Sequence, residues 1–371
     1  MAETTEPGRV GSTGFDRADP AAPVDGGLSR RERVRRALMH EPLDRLPTQV
    51  GWTAAMGRRL ADHFGVAEAE LPHRLDNHLV RVDLSYRPVV SDDGRVRFDW
   101  WGAGHDANEE GYYIALSPLA SEPDLDAYAW PDPTAPGLVD DAAKTAAAVG
   151  DDAFVIPNLG FALFERAWSL RGFEQFLMDL VADPDYAAEL LDRITAIQLA
   201  LVARYLAVGV DAGYFGDDYG SQTGLLMSPQ TWRRLIKPRL AALFAPFRER
   251  GLPVVLHSDG AIGEILPDLV EIGLTALNPV QPEVVDQAWL RHRFGRSLAF
   301  YGGISTQTVL PTGRPTEVRD AVARCVAALA PEGTGLLLGP SHRLMSDIPM
   351  TNVDALLEAF AGTVADRGGA G

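Results

Sequence analysis

The chain has 371 residues, 46% of them hydrophobic, with 34 basic against 51 acidic side chains and a net charge of −17. That balance argues against a nucleic-acid binder, which works by neutralising phosphates, and no run approaches the ~18 apolar residues of a membrane span. A single cysteine, Cys325, rules out an intrachain disulfide and a CxxC metal site.

The first 27 residues are rich in Gly, Pro, Ala and Asp without periodicity, so a disordered tail is expected there. They hold no apolar signal-peptide core, and a soluble cytoplasmic protein is expected. One domain is predicted over 28–367. Ser29-Arg30-Arg31-Glu32 fits a capping box that opens a helix to about Met39, an N-terminal extension. Arg30, Arg31, Arg33, Arg35 and Arg36 read as its solvated face. A short strand at 46–51 precedes a helix near 54–64. Residues 86–130 hold short strand-like runs (VRFDWWG, GYYIALSPL) broken by Gly and Asp, which predicts a β-hairpin excursion.

From 153 onward strands and helices alternate. AFVIPNLG predicts a strand, 162–182 a helix, and Asp183-Pro184 the N-cap and first residue of a long helix. Strand AGYFGDD, a helix capped by Ser228-Pro229 and strand PVVLHSD follow. Then come helices near 261–272, 285–294, 315–330 and 351–364, with strands TALNPV, LAFYGGI and GLLLGPS among them. Seven or eight candidate strands result, near 47–51, 79–84, 153–158, 212–217, 253–258, 275–279, 298–303 and 335–339. This alternation predicts parallel pairing, and eight strands predict a (β/α)8 TIM barrel.

In such barrels the active site lies at the C-terminal strand ends. The residues found there are Trp52, Asp83, Asn158, Asp217, Asp218, Tyr219, His257, Asp259, Asn278, Gln281 and His342. His257 and Asp259 are two apart in extended chain, so both point to one side. With His342 they make a ligand set suited to zinc or another divalent metal; the alternative is that His257 contacts substrate and Asp259 caps a helix. Asp217 and Asp218 are adjacent and in a strand face opposite ways, one towards the barrel mouth and the other towards a loop; either is a candidate catalytic acid–base group, and the alternative is a turn stabilised by Asx bonds. Tyr219 is placed beside them as a catalytic group, and Trp52, Gln222, Asn278 and Gln281 are expected to bind substrate. His105 is placed in a hairpin able to fold over the mouth. Trp100, Trp101 and Cys325 read as packing residues.

FGDDYGSQTGLLMSPQTWRRLIKPRL, VVLHSDGAIGEILPDLVEIGLTALNPVQP, FYGGISTQTVLP and LLLGPSHRLMSDIPMTN together resemble the uroporphyrinogen decarboxylase superfamily, over roughly 29–364. The resemblance implies a (β/α)8 barrel. The metal-free decarboxylase branch carries an RQAGRY stretch for substrate carboxylates. Here the region reads PTQVGWTAAMGRRL, with Arg58 and Arg59 but not the motif. Asp83 falls near that branch's catalytic aspartate and His342 near its C-terminal histidine. The corrinoid methyltransferase branch holds zinc through His-x-Cys-Gly and a later Cys. Here His257-Ser258-Asp259-Gly260 and His342 stand in those places. The leading expectation is a decarboxylase-like lyase acting on a small carboxylated substrate other than a porphyrinogen. The alternatives are a zinc-dependent methyltransferase or demethylase working with a corrinoid protein, and a non-catalytic ligand-binding barrel. A homodimer is expected from symmetry alone.

Overall fold

The computed structural model describes residues 27–107 and 113–363. The predicted tail, Gly27 apart, and residues 364–367 of the predicted domain lie outside them. The described strands are β1 (Leu79–Val82), β2 (Val89–Val90), β3 (Val96–Phe98), β4 (Gly104–Asp106), β5 (Ile114–Leu116), β6 (Phe154–Pro157), β7 (Gly213–Gly216), β8 (Val254–His257), β9 (Ala276–Val280), β10 (Ala299–Ile304) and β11 (Leu336–Pro340).

Two of the three sheets are parallel. One pairs β1 with β6, and the other runs β7-β8-β9-β10-β11 in chain order, each step crossing through helix. Strands β6, β7, β9 and β11 are buried along their whole length. That is why they read as unbroken apolar runs rather than as alternation. The α/β alternation matches expectation, but regular pairing does not close a ring of eight. The expected strand at 47–51 contributes single parallel bridges, Thr48 to Leu338 and, beyond it, Trp52 to Leu344, and Leu159 bridges Phe215. Backbone bonds nonetheless run across these joints: Gln49 N to Leu338 O (2.9 Å), His78 N to Thr48 O (3.1 Å) and Leu159 N to Tyr214 O (3.3 Å).

Strand parity sorts the core into two layers. Phe215, Leu256, Leu277, Phe300 and Leu338 join the large cluster shared with the helices. Leu79, Phe154, Ile156, Ala212, Tyr214, Val255, Ala276, Ala299 and Leu337 form a separate small cluster between the strands. Val34 and Leu38 join it from the helix Arg30–Leu38. That helix starts as predicted, with Ser29 Oγ accepting from Glu32 N–H, while the Glu32 carboxylate turns to Arg35 and Arg36 instead of completing the capping box. Its basic face is not simply solvated. Arg33 is 5% exposed; it pairs with Asp44 (2.6 Å), donates to the Leu28 carbonyl oxygen (2.7 Å) and meets the buried His78 ring.

Helices Ala54–Phe64, Pro184–Val208, Pro229–Leu235, Gln287–Phe294, Pro315–Leu329 and Met350–Gly362 lie where expected. The predicted 162–182 helix is two, Phe164–Arg171 and Phe173–Ala182, divided at Gly172 with φ +93°. The one near 261–272 shortens to Leu266–Glu271, since 259–265 forms a loop. Helix Asp140–Val149 was not expected; its alanine-rich sequence follows a Pro- and Asp-rich stretch that masked it. The predicted hairpin is a four-stranded antiparallel sheet, β2-β3-β4-β5, whose two- and three-residue strands are too short to show a period.

Candidate functional site

The parity that fills the interior also delivers the site. Two residues beyond Val255 stands His257, two beyond Ala276 Asn278, and two beyond Leu79 Arg81; Asp218 lies four beyond Tyr214. All four line a cavity of about 1240 Å³ at the C-terminal ends of the parallel strands, as do Trp52, Glu165, Tyr301, His342 and Arg343. Trp100, Trp101 and His105 line it too, so the antiparallel sheet forms part of its wall, as placed for His105. Trp101 is also core-packed.

His257, Asp259 and His342 come together: one ligand atom from each lies within 4.8 Å of the other two. His257 Nε2 is 3.9 Å from Asp259 Oδ1, His342 Nε2 is 3.9 Å from Asp259 Oδ2, and the two rings lie 5.8 Å apart. Asp259 Oδ1 is buried with no hydrogen-bond partner. A buried carboxylate oxygen left unpaired between two imidazoles is costly unless a cation or proton joins them, so these residues fit a divalent ion. Burial and the nearby Asp218 raise the Asp259 carboxyl to about 7, against the pull of His342. Burial holds both imidazoles below their ordinary value.

The loop carrying Asp259 is fixed from both sides. Asp218 Oδ1 accepts from Asp259 N–H (2.8 Å), Gln281 Oε1 from Gly260 N–H (2.7 Å), and Ser221 O from Ala261 N–H (2.8 Å). Gly260 has φ +86°, and a Cβ there would stand 2.3 Å from the Gly220 carbonyl carbon. The two loops touch backbone to backbone, which only glycine permits.

The adjacent aspartates do face opposite ways. Asp218 lines the cavity; Asp217 is fully buried on the other side. Asp217 accepts from the backbone N–H groups of Leu163 (3.2 Å), Phe164 (2.9 Å) and Glu165 (2.7 Å) and from the Tyr219 hydroxyl (2.7 Å). It therefore caps the helix Phe164–Arg171, and Tyr219 is buried beside it. Burial pushes Asp217 up to about 6 against those bonds. Gln222 is exposed, and Gln281 faces a second, smaller cavity of about 560 Å³. Asn278 is 5% exposed and bonded on all sides, its Oδ1 accepting from His257 Nδ1 (2.7 Å) and the Tyr214 hydroxyl (2.8 Å). Cys325 is buried, and burial raises its thiol to about 12.

Sequence reasoning missed Glu165, Arg81 and Arg343. Glu165 lines the cavity and accepts from the Asp218 backbone N–H; burial, then Asp218 and Asp217, raise its carboxyl well above the ordinary range. It sits on a helix start, where nothing in the sequence marks it. Arg81 lies over the Tyr214 ring (4.7 Å). Strand parity counted from Leu79 would have found it.

A parallel α/β fold that gathers imidazoles, carboxyls and guanidinium groups at its strand ends, over an open cavity, has the architecture of an α/β enzyme. The chain belongs to the uroporphyrinogen decarboxylase (URO-D) family, whose pattern matches residues 105–362. A methyltransferase from Methanosarcina mazei shares the fold at 20% identity and a TM-score of 0.70, covering 91% of this chain and 100% of that one. A B12-independent methionine synthase from a Shewanella species aligns at 12% identity and a TM-score of 0.42, over 61% of this chain and 65% of that one, too low to carry an argument. No curated protein matches. Among the described residues no helix is long and apolar enough to cross a membrane.

Proposed function

We propose that this chain is a metal-dependent enzyme that moves a methyl group between a small oxygen-linked donor and a corrinoid, with His257, Asp259 and His342 as the metal's protein ligands. The observation that carries this reading is the triad, with its orphaned Asp259 oxygen between two imidazoles. The resemblance of His257-Ser258-Asp259-Gly260 and His342 to a zinc set supports the reading, as does the activity named for the Methanosarcina neighbour. Zinc, when bound, supplies Lewis acidity in the cavity. The other roles fall to the chain's own side chains. Glu165 holds a proton at the cavity wall for an oxygen that leaves as an alcohol. Arg81 and Arg343 offer guanidinium groups to an anionic donor. Asp218 keeps the Asp259 loop in place, and Trp52, Trp100 and Tyr301 limit water. The partner in this reading is a corrinoid-carrying protein. We further infer that the segment Thr48–Trp52 serves as the eighth strand of a (β/α)8 ring, a reading supported by its bonds to Leu338 and His78.

Decarboxylation of a small carboxylate is the second reading, favoured by the same guanidinium groups and the same Glu165, whose carboxyl burial pushes well above its ordinary range. One experiment separates the two. Protein purified without a histidine tag is assayed for bound metal, with His257→Ala as control, and mixed with cob(I)alamin and methyl donors while absorbance is followed. About one zinc per chain, lost in the control, with a methyl-donor-dependent change in the corrinoid spectrum supports methyl transfer. A metal-free protein after reconstitution, silent towards every donor, overturns it and leaves decarboxylation.

A further inference from the structure

We propose that Asn278 is a positioning residue that fixes which nitrogen of His257 faces the metal. The inference rests on reading the triad as a metal site. The Asn278 side chain has three partners. Its Nδ2 lies 3.3 Å from the Tyr301 carbonyl oxygen, its Oδ1 2.8 Å from the Tyr214 hydroxyl, and the same Oδ1 2.7 Å from His257 Nδ1. A carbonyl oxygen only accepts, so the amide atom facing Tyr301 must be the NH2 group. The atom facing His257 is then the amide oxygen, which also only accepts. His257 Nδ1 must therefore carry the hydrogen and donate it. In the neutral ring this leaves the lone pair on Nε2.

Nε2 is the nitrogen that lies 3.9 Å from both Asp259 Oδ1 and Asp218 Oδ1. The tautomer set from behind thus aims a lone pair at the point shared by the triad. Asn278 is 5% exposed and Tyr214 4%, so water cannot easily replace either bond. A ligating histidine whose other nitrogen is anchored in this way has its ring plane and basicity set by the anchor. Asn278, which also lines the cavity, therefore acts through His257.

The test uses the whole protein labelled with 15N at histidine only, with His257 assigned by the signal missing in His257→Gln. In the metal-free wild type at neutral pH the His257 ring is expected to be protonated on Nδ1 and unprotonated on Nε2. Asn278→Ala is expected to shift the ring towards the Nε2-protonated form and to weaken zinc, measured by competition with a chromophoric chelator, by ~10–100-fold. Asn278→Asp keeps an acceptor facing Nδ1 and is expected to keep the hydrogen on Nδ1, a rescue that lost packing would not give. A wild-type ring protonated on Nε2, or an Asn278→Ala variant with unchanged ring signals and zinc affinity, overturns the inference. If Asn278→Ala does not fold, the wild-type and Asn278→Asp spectra decide. If the wild type binds no zinc, the metal reading falls, while the ring signals still decide the tautomer.

Discussion

Acid should weaken this fold through one histidine, His78, which sits where the segment Pro47–Trp52 meets β1. It is fully buried. Arg33 Nη1 lies 3.1 Å from His78 Nε2, and because a guanidinium only donates, Nε2 must accept. Nδ1 then carries the hydrogen and donates to the Asp76 carbonyl oxygen (2.8 Å). The ring is thus built in neutral, and burial lowers its pKa from 6.5 to about 4, with Asp76 pulling the other way. In the unfolded chain the ordinary value returns. Between pH 6.5 and 4 the unfolded state binds the extra proton, so stability falls as pH falls through that window. The gap is worth roughly 3 kcal/mol in all, with a slope near ~1 kcal/mol per pH unit at its centre. Urea unfolding followed by tryptophan fluorescence at pH 7, 6, 5 and 4.5 measures it, with His78→Gln as the reference. The glutamine can accept from Arg33 but does not titrate. Other acid-sensitive groups contribute equally to both proteins and drop out of the difference. The wild type should lose stability faster than the variant across the window. Parallel curves would refute the reasoning, and a variant that falls faster would reverse its sign.

Other perturbations test the site and its supports. Glu165→Gln should lower methyl transfer by at least ~100-fold while leaving zinc content at the wild-type value, measured by turnover and elemental analysis on the same samples. Asp217→Ala strands three backbone N–H groups and the Tyr219 hydroxyl; it should cost about 3 kcal/mol in urea unfolding, and a loss under ~0.5 kcal/mol would deny the capping role. Gly260→Ala should separate the Gly220 and Asp259 loops, reducing zinc retention during dialysis and lowering Tm, because the new Cβ has backbone rather than side chain in its way. Gln222→Ala should leave zinc content and turnover unchanged, since that side chain is exposed outside the cavity lining.

Much of the framework was legible because buried parallel strands are written as apolar runs. VVLH, LLLGP and FVIP stand out from the helices between them, and Ser29, Asp183 and Ser228 mark helix starts through hydrogen bonds local in sequence. The pairing of His257 with Asp259 was legible for the same reason, as residues two apart in extended chain share a side. That Asp218 rather than Asp217 faces the cavity needed the parity of the whole strand. The pair alone says only that the two diverge. Glu165 was hidden because its role comes from contacts more than 50 residues away in the chain, with Asp217 and Asp218. Gln222 misled because it sits in a polar motif next to the site in sequence, while the Gly220–Gly224 turn carries it outward.

The shared parity has an evolutionary consequence. Along β8 the first half of the inward row is Val255, which packs the interior, and the second half is His257, which lines the cavity; the same division runs along β9 from Ala276 to Asn278. On these two strands interior packing and the cavity lining are thus stacked end to end on one face. A lineage can exchange the outer rank one side chain at a time, trading a thiolate for a carboxylate or an imidazole, while the inner rank keeps the chain folded through each change. The tolerance has a sharp limit. Inserting or deleting one residue within β8 would turn Leu256 or Ser258 into the row that His257 now holds, and would lose the proposed ligand and the packing together. Divergence of the ligand set in such a protein is therefore expected by substitution, with length changes confined to the loops beyond the strand ends.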